Sequence, residues 1–436
     1  MNKEALLSVI EKTVPYKRFG KVIRVVGLMI ESEGPAANIG EVCYIHTSAG
    51  NKEKILAEVV GFQNEKIILM PYREVNEVGS GCLVEATGHP LKVKVGRSLI
   101  GHILDPLGKP LLDLESLPKG LTGYQTERKP PNPLSRPTIR QPLQVGIRAI
   151  DGFLSMGIGQ RVGLFAGSGV GKSTLLGMIA RNSSADVNVI ALIGERGREV
   201  REFIEHDLGE EGLKKSIIVA ATSDQPALMR IRGAYTATAI SEYFREQGLH
   251  VNLMMDSVTR VAMAQREIGL AVGEPPTTKG YTPSVFSILP KLLERAGTDE
   301  NGSITGFYTV LVDGDDMNEP IADAVRGILD GHIVLDRKIA ERGQYPAINV
   351  LKSISRVMNT IATEEHKQIA SRLRTLLATY EENNELISIG AYKKGTNPEI
   401  DLAIASYPNI VSFLKQGVYE QVSLAETIQM MKNLVE

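Results

Sequence analysis

The sequence predicts an α/β protein in three parts: an N-terminal β-barrel, a central parallel sheet covered by helices, and a helical C-terminal domain. Three observations predict it. Apolar strands alternate with helical patterns through the middle of the chain, and that alternation implies a parallel sheet with helices on both faces. Short β-rich pieces crowd the region before it, and a stripe of helical period runs after it. At 436 residues the chain is too long for one ordinary domain.

Residues 1–19 form the first element, an amphipathic helix with its linker. Ala5, Leu6, Val9 and Ile10 share a stripe, and Lys3, Glu4, Glu11 and Lys12 supply the polar face. So short a helix is marginal alone in water, so it orders by packing on its own barrel or in a partner's groove. Residues 20–96 form the barrel domain, from "KVIRVVGLMI", "EVCYIH", "ILAEVVGF", "KIILMPY", "CLVEAT" and "LKVKV". Aromatics are too sparse there to stack bases. The five prolines of 126–143 predict an extended segment laid over a surface. Residues 97–360 carry the parallel sheet, with strands "RVGLFAG", "VNVIALI", "SIIVAATS", "VNLMMD" and "GFYTVLVDG". Residues 361–436 are helical, with Ile369, Leu373, Leu376, Leu377 and Tyr380 on one face.

Composition narrows the function. Apolar content of 43% and charged content of 23% fit a soluble globular chain. Net charge is −2 with no long basic run, so nucleic acid is not the expected partner. Cys43 and Cys82 are too few for a disulfide framework and read as reduced thiols. No apolar run approaches the ~20 residues that cross a bilayer, and the N-terminus lacks a signal peptide's apolar core. A cytoplasmic protein is expected.

The chemistry is concentrated in "GLFAGSGVGKST" (163–174), set between a strand and a helix as a phosphate loop requires. Gly167, Gly169 and Gly171 let backbone N–H groups turn toward phosphate oxygens, and the following helix adds its positive end. Lys172 reaches the β- and γ-phosphates, and Ser173 offers Mg²⁺ a hydroxyl. Ala166 stands where the usual pattern has glycine, which keeps the position small. Residues 167–174 (Gly167, Ser168, Gly169, Val170, Gly171, Lys172, Ser173, Thr174) are the expected nucleotide contacts. Asp256 ends a second buried strand and would hold the metal's water shell.

In "VNVIALIGERGREV" a strand apolar except at Asn188 is followed at once by Glu195, Arg196, Arg198 and Glu199. Ligands of open α/β sheets bind at the carboxyl ends of the strands. Glu195 is therefore the candidate to orient and deprotonate the attacking water. The plainer alternative is a surface carboxylate paired with Arg196 or Arg198. "DGDDMNEP" (313–320) has metal-like spacing, but its Gly and Pro favour a turn or sensor over a second metal site.

"GERGREV", "AGSGVGKST", "PLQVGIRAIDG", "DSVTRVAMAQREIGLAVGEPP" and "QYPAINVLKSISRV" closely resemble the catalytic subunits of rotary ATPases and their type III secretion relatives. The likeness runs from about residue 20 to the end. "DQPALMRIRGAYTATAISEYFR" and "LVDGDDMNEPIADAVRGILDGHIVLDR" look most like the flagellar export branch, as does "ENNELISIGAYKKGTNPEIDLAI" in place of an acidic rotor-contacting loop. The resemblance implies a RecA-like ATPase domain, ATP and Mg²⁺ as ligands, and water activation by Glu195. It implies Arg196 in the phosphate or subunit-contact network, Arg260 near the active site, and Tyr345 stacked on adenine. Arg356 of "SISRV" would reach a neighbour's γ-phosphate, so that one chain supplies both halves of each site in a homo-oligomeric, hexameric ring.

The same resemblance implies a dimeric stalk-like regulator at the N-terminal helix, a central stalk protein, and chaperone–substrate complexes as partners. It also implies peripheral attachment to the inner face of the membrane at the export gate. Injectisome ATPase, rotary synthase subunit and hexameric RNA translocase are the alternatives. The last needs a basic or aromatic strand-binding domain, which residues 20–96 lack.

Overall fold

A computed structural model describes residues 17–435 apart from 48–53, 76, 112–115, 313 and 315. The amphipathic helix expected at 3–13 lies outside the described residues. The barrel has six antiparallel strands: Phe19–Val26, Met29–Glu33, Glu41–His46, Lys54–Gln63, Lys66–Pro71 and Leu83–Pro90. Their order around the barrel is first, second, fifth, fourth, third, sixth, and the sixth closes on the first. Alternate residues point inward. Val22, Ile30, Cys43, Ile45, Val59 and Leu69 fill the interior. Both cysteines are buried free thiols, and burial pushes Cys43 up to about 12, so it is inert.

The "LKVKV" piece, expected with the barrel, belongs elsewhere. The barrel is complete at Pro90, and Lys92–Val95 pairs instead with Thr122–Gln125. The reason is its apolar face: Val93 and Val95 are buried in the core of the central domain, while Lys92 and Lys94 face water.

The central sheet runs in the order Ile354–Ser355, Gly331–Leu335, Arg161–Ala166, Ser303–Leu311, His250–Asp256, Val187–Ile193, Ser216–Ala221, Ile103–Leu104. These strands are parallel except Ile354–Ser355, which runs antiparallel along the edge. Val187–Ile193 is buried along its whole length, as strands covered on both faces are. Its polar member, Asn188, donates to Ala180 O at 2.9 Å and accepts from Asn252 at 3.1 Å, so its own amide N–H and oxygen both find partners. Helices Ala227–Glu246 and Val258–Ala271 cover one face, and Lys172–Asn182 covers the other.

The C-terminal helices are Glu364–Ser388, Pro398–Leu414 and Leu424–Val435. Leu373, Leu376 and Leu377 are buried against the sheet domain, with Ile369 and Tyr380 partly buried beside them. Tyr380 also stacks on Tyr407, ring centroids 3.6 Å apart.

Barrel and sheet domain meet at a buried ionic seam. Arg232, on helix Ala227–Glu246, grips both carboxylate oxygens of the barrel's Glu58 and donates to Glu127 at 2.6 Å. Tyr72 donates to the same Glu58 at 2.5 Å. On the far side of Arg232 lies the Tyr235 ring, with Arg295 on it in turn at 5.6 Å, held by Glu242 through two bonds of 2.8 and 2.7 Å.

Candidate active site

The strand Arg161–Ala166 ends in the expected loop, and helix Lys172–Asn182 starts directly after it. Gly169 (φ 79°) and Gly171 (φ 88°) take the left-handed backbone that favours glycine, whereas Gly167 is buried and does not. Two glycines therefore shape the turn. Ser168 is exposed, its carbonyl 3.4 Å from Arg337, and Val170 is buried under the loop.

Lys172 reaches back across the loop to two acids. Its Nζ lies 2.6 Å from Asp256 Oδ1 and 3.5 Å from Glu195 Oε1. Burial alone would lower the ammonium's proton affinity, but the two carboxylates outweigh it and hold Lys172 above its ordinary range. Both acids stand at the carboxyl ends of parallel strands, as the sheet rule requires. A buried Thr309 hydroxyl donates to Asp256 Oδ1 at 2.7 Å.

Glu195 is pushed up to about 7 by burial and by the neighbouring Asp256, with Lys172 pulling the other way. It also shares a hydrogen bond with Glu199, four residues on, and that bond holds Glu199 below the usual carboxylate range. The plainer alternative for Glu195 does not occur: Arg196 pairs with Glu199 at 3.5 Å and Arg198 with Glu202 at 3.2 Å. The Arg196 side chain is 82% exposed. Arg260 packs its stem on Gly194, where a Cβ would come within 2.8 Å of it; this and φ 72° require glycine just before Glu195.

Ser173 and Thr174 lie in the first helical turn. The Thr174 hydroxyl donates to Asp207, whose segment Phe203–Leu208 crosses the helix at Gly177, so Thr174 has its backbone N–H to offer a nucleotide. Tyr345 is 48% exposed and flanks the loop, its ring 3.6 Å from where a side chain at 171 would begin. Its carbonyl accepts from Gln416 N at 2.9 Å, which ties it to the C-terminal domain.

Arg356 stands apart from these groups. Its N–H donates to Asp330 O, and Asp330 is ion-paired with Arg161 at the opposite end of the phosphate-loop strand. About 17 Å of strand separates that level from the loop. The Arg356 side chain is exposed and makes no hydrogen bond or ion pair among the described residues.

The donor set suits a hydrated cation on a nucleotide. Mg²⁺ keeps several waters and takes one or two carboxylates beside substrate phosphates; Asp256 can provide a carboxylate and Ser173 a hydroxyl oxygen. No group of three or more metal-binding side chains occurs among the described residues. Asp313 and Asp315 lie outside them; Asp316 accepts from Asn318 N at 2.9 Å, a turn-forming bond. Three residues of the site have no role assigned from the sequence: Glu199, Thr309 and Asp207. Of these, only Glu199 could have been found, since it lies one helical turn past Glu195.

Comparison with known proteins gives concordant matches. The nucleotide-binding domain of the ATP synthase alpha/beta family matches residues 146–355, and that family's beta-barrel domain matches 22–88. The T3SS EscN ATPase C-terminal domain matches 362–433. The flagellum-specific ATP synthase of Bacillus subtilis is 64% identical, covering 100% of this chain and 99% of its own. The type 3 secretion system ATPase of Xanthomonas euvesicatoria is 49% identical over 96% of this chain and 95% of its own. The assembled ATPase EscN of enteropathogenic E. coli superposes with TM-score 0.90 at 47% identity, covering 96% of this chain and 100% of that one. EscN in complex with its central stalk EscO gives 0.89 at 46% identity, with the same coverage.

Proposed function

Because the chain belongs to the ATP synthase alpha/beta family, among its flagellar and type III export ATPases, we propose that it hydrolyses ATP in a ring of identical subunits and so energises protein export through a flagellar type III apparatus. The observation that carries the catalytic reading is the meeting of Lys172, Glu195 and Asp256 at the phosphate loop. The 64% identity with a flagellum-specific relative, against 49% with a type 3 secretion ATPase, supports the flagellar role over the injectisome alternative.

In the proposed cycle Lys172 exchanges its two carboxylates for the β- and γ-phosphates. Glu195 thereby loses a positive neighbour and becomes a stronger base as substrate arrives. It orients the water that attacks the γ-phosphorus and takes its proton as the bond to ADP breaks. Mg²⁺, held by Ser173 and through water by Asp256, supplies neutralising charge at the phosphate oxygens. Gly167, Ser168, Gly169, Val170, Gly171 and Thr174 line the phosphates, Tyr345 stacks on adenine, and Arg260 and Arg196 support the active site and the subunit contact. Arg356, level with the end of the phosphate-loop strand remote from the loop, serves the neighbouring subunit's nucleotide.

Ring formation then sets activity. ATP turnover per subunit should rise steeply with protein concentration, in step with light scattering that follows assembly. Constant turnover per subunit across that transition would overturn the ring. Six subunits, a central stalk at the pore, chaperone-bound cargo, and attachment at the cytoplasmic membrane face are proposed with it. The assembled form of EscN supports assembly into an oligomer, and its complex with EscO supports the stalk.

The N-terminal stripe of Ala5, Leu6, Val9 and Ile10 is proposed to bind a dimeric stalk-like regulator. Deleting residues 1–13 should leave melting temperature and basal turnover nearly unchanged and abolish co-purification with the regulator. A large loss of thermal stability with regulator binding intact would assign the stripe to the protein's own barrel.

A further inference from the structure

We propose that Thr309 is a positioning residue for Asp256, whose buried hydroxyl keeps that carboxylate aimed once Lys172 has left it for the phosphates. The proposal rests on the Mg²⁺–nucleotide reading above. Thr309 lies on Ser303–Leu311, the strand between the phosphate-loop strand and the strand that ends in Asp256. It stands opposite Leu164 on one side, and on the other Tyr308 stands opposite Met255, which brings Thr309 level with Asp256. Thr309 is fully buried and Asp256 is 3% exposed.

The strand would tolerate valine at this position, since its neighbours Val310 and Leu311 are apolar and β-branching suits a strand. What threonine adds is one O–H. Met255 O lies 3.2 Å away and Asp256 Oδ1 only 2.7 Å, and a charged acceptor at the shorter distance takes the proton. The same Oδ1 also accepts from Lys172 at 2.6 Å, while Oδ2 accepts no hydrogen bond among the described residues. When Lys172 departs, Thr309 becomes the remaining donor on Oδ1. The carboxylate then cannot swing, and Oδ2 is presented to the cation's water shell. Without the hydroxyl, a nearly dry carboxylate would lose its last fixed partner, which is costly for a buried charge.

The test is binding of a fluorescent ADP analogue to the full chain in EDTA and in Mg²⁺. Mg²⁺ should tighten binding by the parental protein. In Thr309→Val that tightening should fall about tenfold, the worth of one charge-assisted hydrogen bond. Affinity in EDTA should stay within about twofold, and Thr309→Ser should restore the parental behaviour. Should the valine variant fail to fold, Thr309→Ala carries the same expectation. Unchanged Mg²⁺ tightening in the variant overturns the positioning role, as does an equal loss of affinity with and without the metal. A parental protein that binds the analogue without any Mg²⁺ tightening overturns the metal reading, and this proposal with it.

Discussion

Glu195→Gln should lower steady-state ATP hydrolysis by about 10²–10⁴-fold, the usual contribution of a positioned general base. Its MgADP affinity should remain within a few-fold of the parental value. The amide has the carboxyl's shape and still faces Lys172, but it cannot take a proton from water. The pH dependence should carry the same signature. With Glu195 raised to about 7 in the free protein, parental kcat/KM should fall as pH drops below 7, because the protonated carboxyl is no base.

Stability follows the opposite direction. The folded carboxyl binds its proton more tightly than the unfolded one, whose ordinary value is 4.5. Its stabilising contribution is complete below 4.5 and lost as pH rises to 7. Glutamine mimics the protonated form at every pH. Nucleotide-free Glu195→Gln should therefore melt above the parental protein at pH 8, by a margin that shrinks as pH falls and closes below 4.5. Near-parental hydrolysis by the purified variant would remove Glu195 from the chemistry.

Arg356→Ala should be inactive alone, with turnover down by the ~10³–10⁵ that an arginine finger contributes. Lys172→Ala should also be inactive alone, because it cannot hold the phosphates. The two lesions fall in different subunits of one catalytic interface if Arg356 acts on the neighbour. A Lys172→Ala subunit can then lend its Arg356 to an Arg356→Ala subunit that retains Lys172, and mixtures should regain part of the parental rate. Mixtures proved to co-assemble yet wholly inactive would count against action in trans. Strand geometry favours action in trans: the Arg356 N–H bonds Asp330 O, beside Arg161, at the end of the phosphate-loop strand remote from the loop.

How far the sequence disclosed this site depended on whether each partner was local. The phosphate loop was legible because strand, glycine turn, lysine and helix are contiguous. Glu195 was legible because a charged pair directly follows a strand buried along its length. Glu199 was accessible to the same reasoning, one helical turn on. Thr309 was not, because its meaning depends on Asp256 lying on the adjacent strand, 53 residues away in sequence. The Thr174–Asp207 bond was hidden for the same reason. The Lys92–Val95 strand shows the limit for the fold. Its alternating pattern was read correctly as a strand, but a period-2 pattern does not name the partner, and its valines face the central core.

The grip of Arg232 on Glu58 bears on how a subunit can bend. A sideways slip of an ångström or two would separate two charges in a place too dry to hydrate either, and the paired bonds tolerate little rotation. Only complete opening, which lets water in, would relieve that penalty. The joint therefore behaves as a detent: it is either seated or fully released, with no gradual travel between. The link between Tyr345 and the C-terminal domain is a neutral backbone contact of 2.9 Å, which stretches at far lower cost. Barrel and sheet domain thus move as one stiff unit. The helical end is anchored as well, by the buried Arg148 of the sheet domain on Glu420, so the Tyr345 contact is the soft point between two firm joints.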